Sequence, residues 1–262
     1  MKISTMESPN SKPKLLERLQ SGHITWKWPL MIVFARLILA VIAQALVAGL
    51  YMVKGHPTPW QAAAPWWIVY GTFIDIGCIV LLIRLTRREG VRLFDLINFQ
   101  RQRLGRDLLL GVGFIPLFII LAIGGGILFG ILIYGANPAP AVMVPLPLWG
   151  TLYSLIVWPI IWAFAEEMTY QGYALPRLEL LTGRGWLAIL VVGFGWALQH
   201  SALPFMPDWR WALFRFGSSL LIGIVLPIIY LRTRRLIPFI FAHWAANLVS
   251  VLMTVVLPML AQ

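Results

Sequence analysis

The chain of 262 residues is 60% hydrophobic and only 12% charged, with a formal net charge of +11 and a mean hydropathy of +0.81. A water-soluble domain of this length would need more charge to cover its surface and would show amphipathic rather than uniformly apolar segments, so the composition defines an all-α, multi-pass membrane protein. The basic excess is not a nucleic-acid signature: it falls at the ends of apolar segments, where it sets topology and attracts anionic lipid of the inner leaflet by about 1 kcal/mol per group.

Residues 1–28 form a polar N-terminal segment with a helical patch, Leu15, Leu16 and Leu19 among Lys14, Glu17 and Arg18. It lacks a secretory cleavage pattern, and the apolar stretch that follows is longer than a signal core and contains Arg36, so it is expected to be retained as an anchor. Residues 29–147 supply three predicted spans, at 29–53, 64–83 and 108–135. Arg36 and Asp75 lie at comparable depth in the first two and are expected to form a structural ion pair. Cys78, the sole cysteine, excludes an internal disulfide and a thiolate metal cluster. Within the basic connector 84–107, Leu93, Phe94, Leu96, Ile97, Phe99 and Leu104 alternate with polar and basic residues, which predicts an amphipathic helix over 92–107 lying on the inner leaflet. Glycines crowd the third span, suggesting close packing or a flexible helix. The connector 136–147 carries four prolines and is expected to be extended.

Residues 148–262 contain four more predicted spans, at 148–165, 186–204, 211–231 and 236–260. Lys2, Lys12, Lys14, Arg18 and Lys27 precede the first span, and a cluster running from Arg84 to Arg106 follows the second. With seven spans these groups, together with Arg177, Arg184, Arg232, Arg234 and Arg235, all fall on one side, so the N-terminus is expected inside and the C-terminus outside, in the cell membrane. Arg215 in the sixth span is expected to snorkel.

The C-terminal part also carries the candidate chemistry. Glu166 and Glu167 end the fourth apolar run, and paired carboxylates there are costly unless they serve a function. Trp196 with His200, and His243 with Asn247, recur at helical spacing, each pair on one face of its own segment. A lone histidine in a span is as readily an interhelical hydrogen bonder, and a lone asparagine is usually packing glue. Two of the four histidines fall in these motifs, however, while His23 and His56 sit in loops. A carboxylate in low dielectric suits a general base that takes a proton from water. The histidines can hold that water, donate to a developing oxyanion or bind a metal, and the asparagine amide can donate to the same oxygen. Hydrolysis of an amide or ester follows from that set. Glu166, His200 and His243 would be the ligands if a catalytic zinc were used. The His-Glu-x2-His signature is absent, and an asparagine at the fourth corner favours hydrogen-bonded water over a metal.

These motifs resemble those of the CAAX-protease and bacteriocin-processing (CPBP, or Abi) family of intramembrane proteases, which includes the CAAX prenyl endopeptidases. Glu166 to Gln171 resembles Glu-Glu-x3-Arg, Trp196 to His200 resembles Phe-x3-His, and His243 to Asn247 resembles the third motif, in order over about the last 110 residues. The stretches Gly172 to Leu178 and Tyr230 to Arg234 are similar to runs found in many bacterial members. The resemblance implies a glutamate-type endopeptidase with no cofactor: Glu166 as the base activating water, Glu167 orienting the site, His200 nearby, and His243 and Asn247 stabilising the oxyanion. It implies a membrane-protein or lipid-anchored peptide substrate, a peptide or membrane regulator before a prenylated CAAX protein. Gln171 stands where the family usually has arginine, which leaves Glu167 either neutral or paired with Arg177 or Arg184. The other readings of the same polar cavity are a non-catalytic membrane protein that binds a peptide or toxin and a proton-coupled transporter, the latter disfavoured by the lack of evident inverted repeats.

Overall fold

A computed structural model describes residues 8–260; Lys2 and the start of the predicted N-terminal segment lie outside them. The described chain is all-helical: α1 (Lys12–Gln20), α2 (Lys27–Val53), α3 (Pro59–Ala63), α4 (Trp67–Arg88), α5 (Leu104–Tyr134), α6 (Leu148–Ile156), α7 (Trp158–Glu167), α8 (Leu175–Thr182), α9 (Gly185–Ser201), α10 (Trp209–Thr233), α11 (Ile237–Val251) and α12 (Leu257–Leu260). A π-helical stretch, Met168–Ala174, joins α7 to α8.

Local chemistry sets the boundaries. Prolines occupy the first turn of α7, α8 and α11, where a missing N–H costs nothing. Asp208 starts α10 by accepting the Arg210 amide at 2.9 Å, and Gly183 ends α8 at φ +64°, a conformation glycine adopts without strain. Pro159 cannot donate back into α6, so the chain breaks at Val157 and Trp158–Thr182 leaves Leu148–Ile156 at 43°.

Helices α2, α4, α7, α11, α5, α10 and α9 each pack on the next, and α9 closes the ring on α2. The outer face of that ring is apolar and exposed, with Leu46, Phe73, Ile120, Leu132 and Leu213 pointing away from the bundle; in water such a surface would aggregate, and in lipid it is the expected contact. Five helical segments are long and apolar enough to cross a membrane, and the bent pair Leu148–Ile156 with Trp158–Thr182 makes a sixth. The expected fifth span of seven is a 17-residue helix, Gly185–Ser201. At 1.5 Å per residue it reaches about 25 Å, short of a hydrocarbon core of about 30 Å. By length and composition alone, five to six of the seven expected crossings are supported.

The predicted amphipathic helix over 92–107 does not form as one element. It is two 3-10 turns, Leu93–Ile97 and Arg101–Arg103, followed by the start of α5. Asp95 accepts the Arg92 amide at 2.8 Å and Asn98 turns to φ +53°, local interactions that compete with helical hydrogen bonding. Phe94 and Phe99 nonetheless stay exposed while Leu96 is buried. Close packing explains only some of the α5 glycines: a Cβ on Gly125 would lie 2.2 Å from the Ser218 carbonyl oxygen of α10, and one on Gly111 2.8 Å from Phe241, whereas Gly113, Gly124 and Gly126 face open space.

Polar ties join segments far apart in the sequence. Asn10 donates to the Gly172 carbonyl at 2.9 Å. Arg177 grips Glu89, Nη2 to Oε2 at 2.5 Å and Nε to Oε1 at 2.8 Å, and Arg18 of α1 reaches the same carboxylate at 3.2 Å. The expected Arg36–Asp75 pair forms at 2.8 Å with both side chains fully buried. Arg215 does not snorkel; it turns inward, nine-tenths buried, and donates to the Leu203 carbonyl at 2.9 Å, because that carbonyl lies in the α9–α10 turn beside it.

Candidate active site

The bend at Val157 and the π-helical stretch after Met168 bracket a single α-helical element, α7, that carries the two glutamates into the bundle. Trp162 and Glu166 are one turn apart, so they share a face, and the Trp162 indole Nε1–H donates to Glu166 Oε2 at 2.7 Å. The Gln199 amide of α9 donates to the other oxygen, Oε1. Glu167, the next residue, points about 100° further round the helix, and its Oε1 lies 3.0 Å from His243 Nδ1 on α11. His243 Nε2 stands 3.5 Å from Glu166 Oε2. One imidazole thus bridges both carboxylates, and both carboxylates are fully buried.

Aromatic rings set that imidazole. Phe118 of α5 lies 5.4 Å from it and Trp196 of α9 lies 5.7 Å away, measured between ring centroids. His200 belongs to the same wall but makes a different contact: its Nδ1 is 2.8 Å from its own helix's Trp196 carbonyl. Asn247 is one turn beyond His243, and its buried Nδ2 has no hydrogen-bond partner. Trp162, Trp196, His200, Arg215, His243 and Asn247 all line a cavity of about 670 Å³. Neither glutamate is on the cavity wall, but Trp162 and His243, which flank Glu166, are.

The five residues expected from the sequence therefore fall in two layers. Glu166, Glu167 and His243 are in contact; His200 and Asn247 face the cavity in front of them. Glu167 does not pair with Arg177, which is held by Glu89 and by the Tyr173 carbonyl at 3.0 Å, nor with Arg184, which is exposed; an α7 side chain one residue after Glu166 faces α11 instead. Gln171 is fully buried, and its amide makes no hydrogen bond of good geometry. Among the described residues no three His, Cys, Asp or Glu side chains are grouped so as to hold a metal ion; His200, one ligand of the zinc alternative, is 2.8 Å from the Trp196 carbonyl instead.

Two hydrogen-bond partners of Glu166, and the contact behind one of them, were not picked out from the sequence. Trp162 precedes it by one turn, a spacing that could have flagged it. Gln199, a polar side chain inside an apolar helix beside His200, could also have been noted. Arg36, which reaches Gln199 from α2 with Nε to Oε1 at 2.5 Å, carried no sequence signal for this contact, because the two are 163 positions apart.

Fold and site together define a polytopic helical membrane protein with a buried glutamate–histidine cluster at the wall of an internal cavity. Residues 147–249 match the family model described as Type II CAAX prenyl endopeptidase Rce1-like. That stretch, less than half of the chain, holds α6 to α10 and most of α11 together with Glu166, Glu167, His200, His243 and Asn247, and the match supports the resemblance to the CAAX-protease and bacteriocin-processing family. No curated protein matches the chain, and no solved structure matches it.

Proposed function

We propose that this protein is an intramembrane endopeptidase that hydrolyses a peptide bond of a membrane-embedded or lipid-anchored substrate with water activated by Glu166. The observation that carries the reading is the single imidazole, His243, set between two buried carboxylates at the edge of a cavity that also presents an unspent amide donor, Asn247 Nδ2. In this reading a substrate peptide occupies the cavity and water enters at the Trp162–His243 boundary. Glu166 takes a proton from that water as it attacks the carbonyl carbon, then returns the proton to the departing amine. Glu167 accepts from His243 Nδ1–H and so fixes which nitrogen faces Glu166. The Asn247 amide donates to the oxyanion formed on the carbonyl oxygen, while His200, its Nδ1–H spent on the Trp196 carbonyl, lines the cavity beside it. The chemistry needs no metal or cofactor.

The same reading places the protein in the cell membrane in seven crossings, the short α9 helix included, with the basic N-terminal side inside against anionic lipid. The apolar exterior of the ring supports entry of substrate from the bilayer.

The test is a comparison of membrane-peptide fragments in cells expressing the wild type or Glu166→Gln at equal protein level. Fragments present with wild type and reduced about 100-fold or more in the variant are expected, the size of a lost general base. Identical profiles would overturn the assignment and favour a peptide-binding role for the cavity.

A further inference from the structure

Glu166 is joined to the first long helix by a continuous chain of buried side chains. Asp75 of α4 accepts from Arg36 Nη1 at 2.8 Å, Arg36 Nε donates to Gln199 Oε1 at 2.5 Å, and Gln199 Nε2 donates to Glu166 Oε1. All four residues are fully buried. We propose that Arg36, anchored by Asp75, is a positioning residue for Glu166 that acts through the Gln199 amide. The inference rests on the protease reading for its catalytic consequence, but the positioning itself does not.

Two features distinguish this chain from an ordinary structural ion pair. A guanidinium and a carboxylate that meet only to neutralise each other favour a two-pronged pairing. Here Arg36 spends Nε on Gln199, and Asp75 Oδ2 and Arg36 Nη2 are left without partners. The second feature is directional. Arginine can only donate and an ionised carboxylate can only accept, so an amide between them has one orientation, oxygen toward Arg36 and nitrogen toward Glu166. Gln199 is thereby locked, and it locks Oε1 of Glu166 while the Trp162 indole holds Oε2. The Arg36 guanidinium also lies 4.5 Å from the centre of the Trp162 ring, so one cation steadies both donors to Glu166. The tie supplies positive charge on the α9 side of Glu166, whereas the π-helical stretch after α7 offers only the neutral Gln171, one turn beyond Glu167.

The full-length protein in lipid nanodiscs provides two readouts. The first needs no substrate: the indole ¹⁵N–¹H resonance of Trp162, assigned by its loss in Trp162→Phe, reports the bond to Glu166. It is expected to shift in Gln199→Met, which cuts the chain, and in Arg36→Met/Asp75→Leu, which removes both charges together and leaves neither orphaned. Gln199→Leu, which can neither accept from Arg36 nor donate to Glu166, serves if either variant fails to fold, and the same shift is expected. The second readout is cleavage of the peptide identified by the Glu166→Gln comparison, with kcat lowered about 100-fold and KM unchanged, as for a reacting group displaced by about 1 Å. An unmoved resonance in the folded variants would overturn the inference, as would a moved resonance with full kcat. If Glu166→Gln cleaves as well as wild type, the protease reading falls, and the resonance alone still decides whether Arg36 positions Glu166.

Discussion

Glu166 and Glu167 are adjacent in sequence and face different helices, and that divergence is what lets one histidine address both. At residue scale the cavity wall separates groups that are already hydrogen-bonded from groups that are not. Asn247 Nδ2 is buried without a partner, so Asn247→Ala removes a donor that stabilises nothing in the resting protein. Cleavage is expected to fall about 100- to 1,000-fold, as for loss of one oxyanion donor, with the thermal midpoint in detergent unchanged; a loss of stability that matches the loss of activity would instead mark Asn247 as packing glue. The pairs at one-turn spacing were legible in the sequence because polar residues stand out in apolar helices. The pairing of Glu167 was misread because the choice among Arg177, Arg184 and a histidine on another helix depends on which way α7 is rotated, which spacing along one helix does not contain.

At the scale of elements, the apolar runs were readable as helices because each is long and closed by proline, glycine or arginine, and the connector 92–107 was misread because Asp95 and Asn98 redirect the backbone there. Glycines in α5 separate into two kinds that composition alone treats alike. Gly125 sits against the Ser218 carbonyl of α10, so Gly125→Ala must push two helices apart and is expected to cost about 1–3 kcal/mol of stability. Its neighbour Gly126 faces open space, and Gly126→Ala should be neutral or stabilising by up to about 1 kcal/mol, alanine being the better helix former. Thermal unfolding of the two variants in the same detergent checks the contrast; equal effects would mean that α5 and α10 do not approach as described.

At the scale of the whole molecule, the all-helical bundle was legible from hydropathy, while the number of crossings was not, because α9, at 17 residues, falls short of the hydrocarbon core as a straight helix. Topology has a clean assay here, since Cys78 is the sole cysteine and is fully buried. Single cysteines placed at the exposed positions His23 and His56, on either side of α2, are expected to react with an impermeant maleimide from opposite faces of the membrane, His56→Cys from outside and His23→Cys only after lysis. Labelling of both from one face would show that α2 does not cross.

The buried polar contacts also bear on biosynthesis. A chain made from its N-terminus can close the Arg36–Asp75 pair once α2 and α4 have been inserted, giving a stable helical hairpin early. Glu166 emerges next, yet its partners Gln199 and His243 arrive with α9 and α11, two and four helices later. A nascent or prematurely terminated chain therefore holds carboxylates without the groups that would aim them, and on the proposed function it would stay inactive until its last site-bearing helix is in place.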